Sequence, residues 1–171
     1  ELLPKLMALG QAEITALRVK CAYNVGAYLT EVAFISPMFA TLLASGVYAI
    51  PAIRAENAAV FTNTVSTAPY RGAGRPEATY ILESVIDQAA REMGLDRAEI
   101  RRINCVPPDA MPFKTGLLYT LDSGDFPRNL DQVLEMGDYA GFEARRAEAK
   151  ARGRLRGIGI ANFIEQTAQI D

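Results

Sequence analysis

The stretch Thr67-Ala68-Pro69-Tyr70-Arg71-Gly72-Ala73-Gly74-Arg75-Pro76-Glu77-Ala78 constrains the fold more than any other part of the chain. Just before it, Val60, Phe61, Thr62, Thr64 and Val65 give residues 53–65 the β-branched and aromatic composition of a strand. Just after it, Leu82, Val85, Ile86, Ala89 and Met93 recur at helical spacing, which predicts a helix over 76–93 with Gly94 as the residue beyond its end. The loop therefore joins an element of period 2 to one of period 3.6. Gly72 and Gly74 allow positive φ or close approach, and Pro76 suits a first helical position. Arg71 and Arg75 add forked donors at the positive end of a helix dipole, so the loop reads as facing an anion. The competing reading is a plain connection whose arginines pair with nearby carboxylates.

The remaining elements follow from the same two periods. Leu17, Val19, Cys21, Tyr23 and Val25 alternate with Arg18 and Lys20, predicting a half-buried strand over 17–25. Pro4 and Gly10 argue against a long regular element in residues 1–12. Met38, Phe39, Leu42 and Leu43 have helical spacing that Gly46 can stop, and Tyr48-Ala49-Ile50-Pro51 reads as an extended connector. Asp96 with Glu99 resembles a capping box and opens a short helix to about Asn104. Residues 107–128, rich in proline, read as irregular with a short strand near 117–120. Asn129 with Gln132 marks a helix ending at Gly137, and Asp138 opens another through Arg152. Residues 155–164 return to strand, with Ile158, Ile160 and Ile164 on one side and Gly157, Gly159 and Ala161 on the other, where something must pack closely. The expected fold class is α+β: a mixed sheet of 17–25, 53–65 and 155–164 with the 76–93 helix across it. The 171 residues suit a single domain or a fragment of one.

Composition excludes several functions. No apolar run approaches the ~20 residues of a membrane span. The net charge is −2 and the longest basic blocks are the Arg101-Arg102 and Arg145-Arg146 pairs, which argues against nucleic acid. Histidine is absent, which removes His-based zinc sites, Ser-His-Asp triads and Cys-His dyads from these residues. Cys21 and Cys105 have no metal-binding spacing and read as reduced, and Cys21 reads as a core residue. Asp122 and Asp125 are too few for a calcium loop and read as turn formers. Glu77 reads as a dipole partner, and Tyr48 and Tyr70 as buried aromatics with satisfied hydroxyls.

The run Pro-Tyr-Arg-Gly-Ala-Gly-Arg-Pro-Glu-Ala, followed by Asp122-Ser123-Gly124-Asp125-Phe126 and Gly157-Ile158-Gly159-Ile160-Ala161, resembles the large, molybdopterin-binding subunit of the molybdenum hydroxylases. That family includes xanthine dehydrogenase, aldehyde oxidase and aerobic carbon monoxide dehydrogenase. The resemblance runs from about Glu13 onward and implies a fragment of a cytoplasmic oxidoreductase oxidising an aldehyde or aromatic N-heterocycle with water-derived oxygen. It implies molybdopterin, as the cytosine dinucleotide, with molybdenum. It also implies iron–sulfur clusters and FAD on partner subunits or domains, together with the remainder of the large subunit in an oligomer. By direct match, Arg71 and Gly72 would bind the cofactor. Ala73 stands where purine-oxidising members have a stacking aromatic, and Phe39 where they have a substrate-binding arginine. Gly72 stands where copper-dependent members have cysteine. No catalytic residue is assigned, because the family's general base is a glutamate of a later segment with no counterpart here. The alternative from a different class is a non-catalytic anion-binding or subunit-interaction domain using the 67–78 loop.

Overall fold

A computed structural model of the chain describes residues 5–9 and 12–165. Strands β1 (Lys5–Leu9), β2 (Glu13–Gly26) and β3 (Ala52–Phe61) form one sheet in the order β1-β2-β3. β1 runs antiparallel to β2, with Lys5 opposite Arg18, and β2 runs parallel to β3, from Ala16 opposite Ala52 to Gly26 opposite Phe61. A parallel pair needs a crossover, and helix α1 (Ile35–Leu42) with the Tyr48 connector supplies it. The expected pairing of 17–25 with 53–65 is therefore present. Residues 5–9 are more regular than expected; Pro4 and Gly10, on which that expectation rested, lie outside the described residues.

Parity decides which face of β2 is covered. Leu17, Val19, Cys21 and Val25 are buried while Arg18 and Lys20 face solvent. Helix α2 (Arg75–Met93) lays Leu82, Ile86 and Ala90 into the same core as Leu17, Val19 and Cys21. It ends at Gly94 with φ +67, the left-handed cap its sequence implied. Helix α3 (Arg97–Asn104) starts at Asp96, whose carboxylate accepts from the N–H groups of Ala98 at 2.8 Å and Glu99 at 3.0 Å. A two-stranded ribbon, β4 (Phe113–Lys114) with β5 (Thr120–Leu121), stands in the proline-rich region. Helices α4 (Phe126–Met136) and α5 (Phe142–Ala151) follow.

Several boundaries differ from the sequence reading: β3 ends at Phe61 rather than Val65, and the strand expected near 117–120 is Thr120–Leu121. α4 starts at Phe126 because Asp125, not Asn129, caps it by accepting from Arg128 N–H at 3.1 Å. α5 starts only at Phe142, since Asp138 has φ +45 in a turn, accepts from Gly141 N–H and pairs with Arg145. Among the described residues, 155–164 join no sheet, although their burial keeps the period of a strand: Ile158, Ile160 and Ile164 are half-buried, and Gly157, Gly159 and Ala161 are exposed. No heavy atom lies within 4 Å of a Cβ built at Gly157 or Gly159, so the close packing expected there is not made by the described residues.

Arginines take the place of a neighbouring strand beside this segment. Arg101 Nη2 donates to Ile160 O at 3.0 Å and Arg97 Nη1 to Ile158 O at 3.2 Å. Arg101 is fully buried; its Nε donates to Glu83 Oε2 at 2.7 Å and its Nη1 to Arg97 O at 2.8 Å, and its Nη2 lies 2.8 Å from Asp87 Oδ1. Glu83 also accepts from the buried Tyr48 hydroxyl at 2.6 Å. Burial pushes the Glu83 carboxyl above its usual range, against the pull of Arg101 and Tyr48. Asn104 completes the joint: it accepts from Ile14 N–H and donates to Ala12 O and Ile100 O, each at 2.7 Å.

Replacing Arg101 with Leu leaves the Glu83 charge buried without its partner. Denaturant unfolding of the full-length protein should register a loss of about 3–5 kcal/mol. Asp96 gives a pH signature. Burial raises its pKa, but the Tyr139 hydroxyl and the Ala98 and Glu99 N–H groups outweigh this and hold it below the usual range. A depressed folded pKa contributes stability above the unfolded value of about 3.9, lost as pH falls through the folded value. Asp96→Ala should cost about 0.5–2 kcal/mol at neutral pH and make stability fall less steeply below about pH 4.

Candidate functional site

The approach to the 67–78 loop is fixed by backbone hydrogen bonds from Thr62 N–H to Gly26 O at 3.0 Å and from Thr67 N–H to Val25 O at 3.2 Å, together with side chains. β3 stops at Phe61, and residues 62–67 are stapled to the turn after β2. Thr62 Oγ1 donates to Asn24 Oδ1 at 2.6 Å and Asn24 Nδ2 to Thr64 Oγ1 at 3.0 Å. Ala27 N–H donates to Thr64 O at 3.0 Å, and Thr30 Oγ1 to Thr67 O at 3.2 Å. Gly26 has φ +82, and a Cβ there would lie 2.4 Å from Ser66 Cα. The two segments touch only because that position is glycine.

The loop then closes on itself. Ala73 N–H donates to Tyr70 O at 2.7 Å and Arg75 N–H to Gly72 O at 2.9 Å. Since Pro76 has no N–H, the start of α2 offers fewer free backbone donors than its sequence implied. Gly72 has φ +99, Gly74 φ +93 and Ala73 φ +28. At Gly74 a Cβ would come within 2.2 Å of Ser36 O, so this glycine admits helix α1 rather than a ligand.

The two arginines have separate roles. Arg75 lies over the Phe39 ring, 4.7 Å from its centroid, and its Nε is 2.7 Å from Glu165 Oε1. Arg71 is exposed and forms no ion pair among the described residues. Arg71, Gly72, Arg75, Thr79, Phe163 and Glu165 border a cavity of about 430 Å³. With Glu165 opposite Arg75, the uncompensated positive charge on this cavity belongs to Arg71. Such a donor set fits an anionic group approaching from the Arg71 side.

Of the four site residues singled out in the sequence, Arg71 and Gly72 line this cavity. Phe39 is half-buried against Arg75 and Ala73 is half-buried in the strained turn, and neither lines it. Glu165 was missed, because in the sequence it is one polar residue at the end of an alternating segment. Tyr70 is 88% exposed rather than buried, whereas Tyr48 is buried with its hydroxyl satisfied. Burial pushes the Cys105 thiol up to about 12 and raises that of Cys21, so neither is a thiolate at neutral pH.

Residues 5–105 match the family described as molybdopterin cofactor-binding domain. The chain belongs to this family. It is 32% identical over 162 residues to the nicotine 6-hydroxylase large subunit of Paenarthrobacter nicotinovorans, covering 93% of this chain and 20% of that protein. It is 31% identical over 169 residues to the carbon monoxide dehydrogenase large chain of Hydrogenophaga pseudoflava, covering 94% and 21%. Quinoline 2-oxidoreductase from Pseudomonas putida 86 superposes with a TM-score of 0.80 at 35% identity, covering 86% of this chain and 19% of that one. The chain thus spans about a fifth of the length of the curated relatives it matches. Its fold, mixed helix and strand with small sheets, is that of a part of the molybdenum hydroxylase cofactor domain. Among the described residues no helix is long and apolar enough to cross a membrane.

Gly74→Ala tests whether the loop depends on its contact with α1. The new Cβ meets Ser36 O at a strained φ, so the variant should lose about 1–3 kcal/mol in denaturant unfolding. Gly94→Ala has no neighbour within 4 Å and serves as the control for positive φ alone.

Proposed function

We propose that this chain is part of a molybdenum hydroxylase that oxidises an aldehyde or an aromatic N-heterocycle, and that Arg71 faces its cofactor. The observation carrying the proposal is the exposed Arg71 guanidinium, without an ion pair among the described residues, on the wall of the 430 Å³ cavity, on a loop whose neighbouring arginine is already engaged. When bound, molybdopterin with molybdenum supplies the centre that inserts water-derived oxygen into an electrophilic carbon. Arg71 would hold the anionic part of that group with its guanidinium donors, and Gly72 would keep a side chain out of the cavity beside it. Arg75, Phe39 and Glu165 hold the loop so that Arg71 points outward.

The finer assignments belong to the same reading. The cofactor is the cytosine dinucleotide form. Electrons leave through iron–sulfur clusters and FAD on partner subunits, within a cytoplasmic oligomer that includes the rest of the large subunit. Ala73, without an aromatic ring where purine-oxidising members stack on the purine, and Phe39, without a charge where they pair with it, favour substrates other than xanthine. The relatives named for nicotine, carbon monoxide and quinoline support a range of small substrates in the family.

The test uses the full-length enzyme, assaying molybdenum and pterin nucleotide in the same preparations as steady-state kinetics on aldehydes and N-heterocycles. Arg71→Lys keeps the charge and loses the planar fork. It should retain metal and lose about 10²- to 10³-fold in rate, about 2–4 kcal/mol of transition-state stabilisation. Undiminished turnover with full metal overturns the role given to Arg71. Cofactor loading without turnover of any such substrate in the wild type points instead to a non-catalytic anion-binding domain. Ala73→Phe should change substrate preference with molybdenum content unaltered.

A further inference from the structure

The charges on the Arg71 cavity come from two distant stretches of chain. Among the described residues that line it, Arg71 and Arg75 are the bases and Glu165 is the one acid. The 67–78 loop thus brings two guanidiniums, and the segment after α5 brings the carboxylate that meets one of them. That segment is placed from outside the loop. Arg97 donates to Ile158 O, Arg101 donates to Ile160 O, and Asn162 Nδ2 lies 3.3 Å from the Tyr48 hydroxyl. Where the negative charge stands is therefore decided by α3 and the Tyr48 connector, independently of the loop it faces.

The carboxylate lies against two residues of the loop. Its Oε1 is 2.7 Å from Arg75 Nε, and its Oε2 is 4.0 Å from where a Cβ at Gly72 would stand. Arg75 is the sheltered partner, with a side chain 12% exposed against 43% for Glu165. Water screens such a guanidinium poorly, so its charge reaches the cavity unless a carboxylate in contact cancels it. Arg75 is also fixed by contacts that do not depend on that carboxylate. It stacks on Phe39 at 4.7 Å, and its Nη1 donates to Gly72 O at 3.3 Å.

We propose that Glu165 sets the charge of this cavity: by cancelling Arg75 it leaves Arg71 as the net cation, so that the cavity takes one anionic group at the Arg71 end and refuses a second at the Arg75 end. The inference rests on the role given to Arg71 above. Glu165 weakens the hold on an anion and fixes where the anion sits. Glu165→Gln keeps the shape of the side chain and exposes the cavity to both guanidinium charges. Arg75→Gln does the reverse, since the Glu165 carboxylate then opposes Arg71. Removing both charges together returns the cavity to the balance of the wild type.

The test uses the full-length large subunit produced free of cofactor, with inorganic sulfate as the probe. Sulfate replaces chloride at constant ionic strength, binding is read by titration calorimetry, and a thermal unfolding transition in each sample shows that the variant is folded. Glu165→Gln should bind sulfate about 10-fold more tightly than the wild type and Arg75→Gln about 10-fold more weakly, the scale of one unit charge screened near a surface. The double variant should return to within about threefold of the wild type. A pair that merely braced the loop would weaken binding in all three. Folded Glu165→Gln with unchanged or weaker affinity overturns the proposal. If Glu165→Gln does not fold, the double variant decides, and binding as weak as that of Arg75→Gln overturns it. Arg71→Gln tests the premise separately: unchanged sulfate affinity there overturns the role of Arg71, and the inference with it, whatever the Glu165 variants show.

Discussion

A guanidinium with no exposure to water sets the geometry of this chain. Arg101 is reached by the Glu83 carboxylate and backbone carbonyl of α2, the Arg97 carbonyl of its own helix, and the Ile160 carbonyl of the segment after α5. Burying one charge among so many oxygens is costly unless every donor is used. Once used, they fix the angle between two helices and the position of a segment 59 residues away. The Tyr48 hydroxyl extends the network to the connector between α1 and β3, and Asn162 Nδ2 lies 3.3 Å from that oxygen. The chain after Asn162 then delivers Phe163 and Glu165 to the cavity of Arg71.

The 67–78 loop is held by side chains as well as by backbone hydrogen bonds between the segments that flank it. Asn24, Thr62 and Thr64 secure its entry, and Phe39, Arg75 and Glu165 secure its exit. This division leaves Arg71 as the exposed cation. A loop carrying two arginines thus leaves one exposed and uses the other structurally.

The parts that follow from local periodicity were legible in the sequence. The alternation of Leu17 to Val25 and the stripe of Leu82 to Ile86 report which face meets the core, and Gly94 and Asp96 report where helices end. Residues 155–164 show the limit of such reading. Their alternation records an extended backbone, but it cannot say whether a strand or a pair of arginines takes the carbonyls. Glu83 and Arg101 read as ordinary helix charges because their burial arises only when α2 and α3 meet. Glu165 carried no signal at all, since its pairing with Arg75 depends on how the chain returns. Family resemblance, rather than periodicity, pointed to Arg71 and Gly72.

The backbone at Ala73 has a consequence for how such a site diversifies. With φ +28 between two glycines of φ +99 and +93, the residue stands where an L side chain is already strained. Side chains branched at Cβ add a further clash, so valine, isoleucine and threonine are poor occupants, while glycine or asparagine would relax the turn. Descendants of this sequence therefore explore the position through a narrow alphabet. The shape of the turn, set before any ligand arrives, filters which side chains selection can try there.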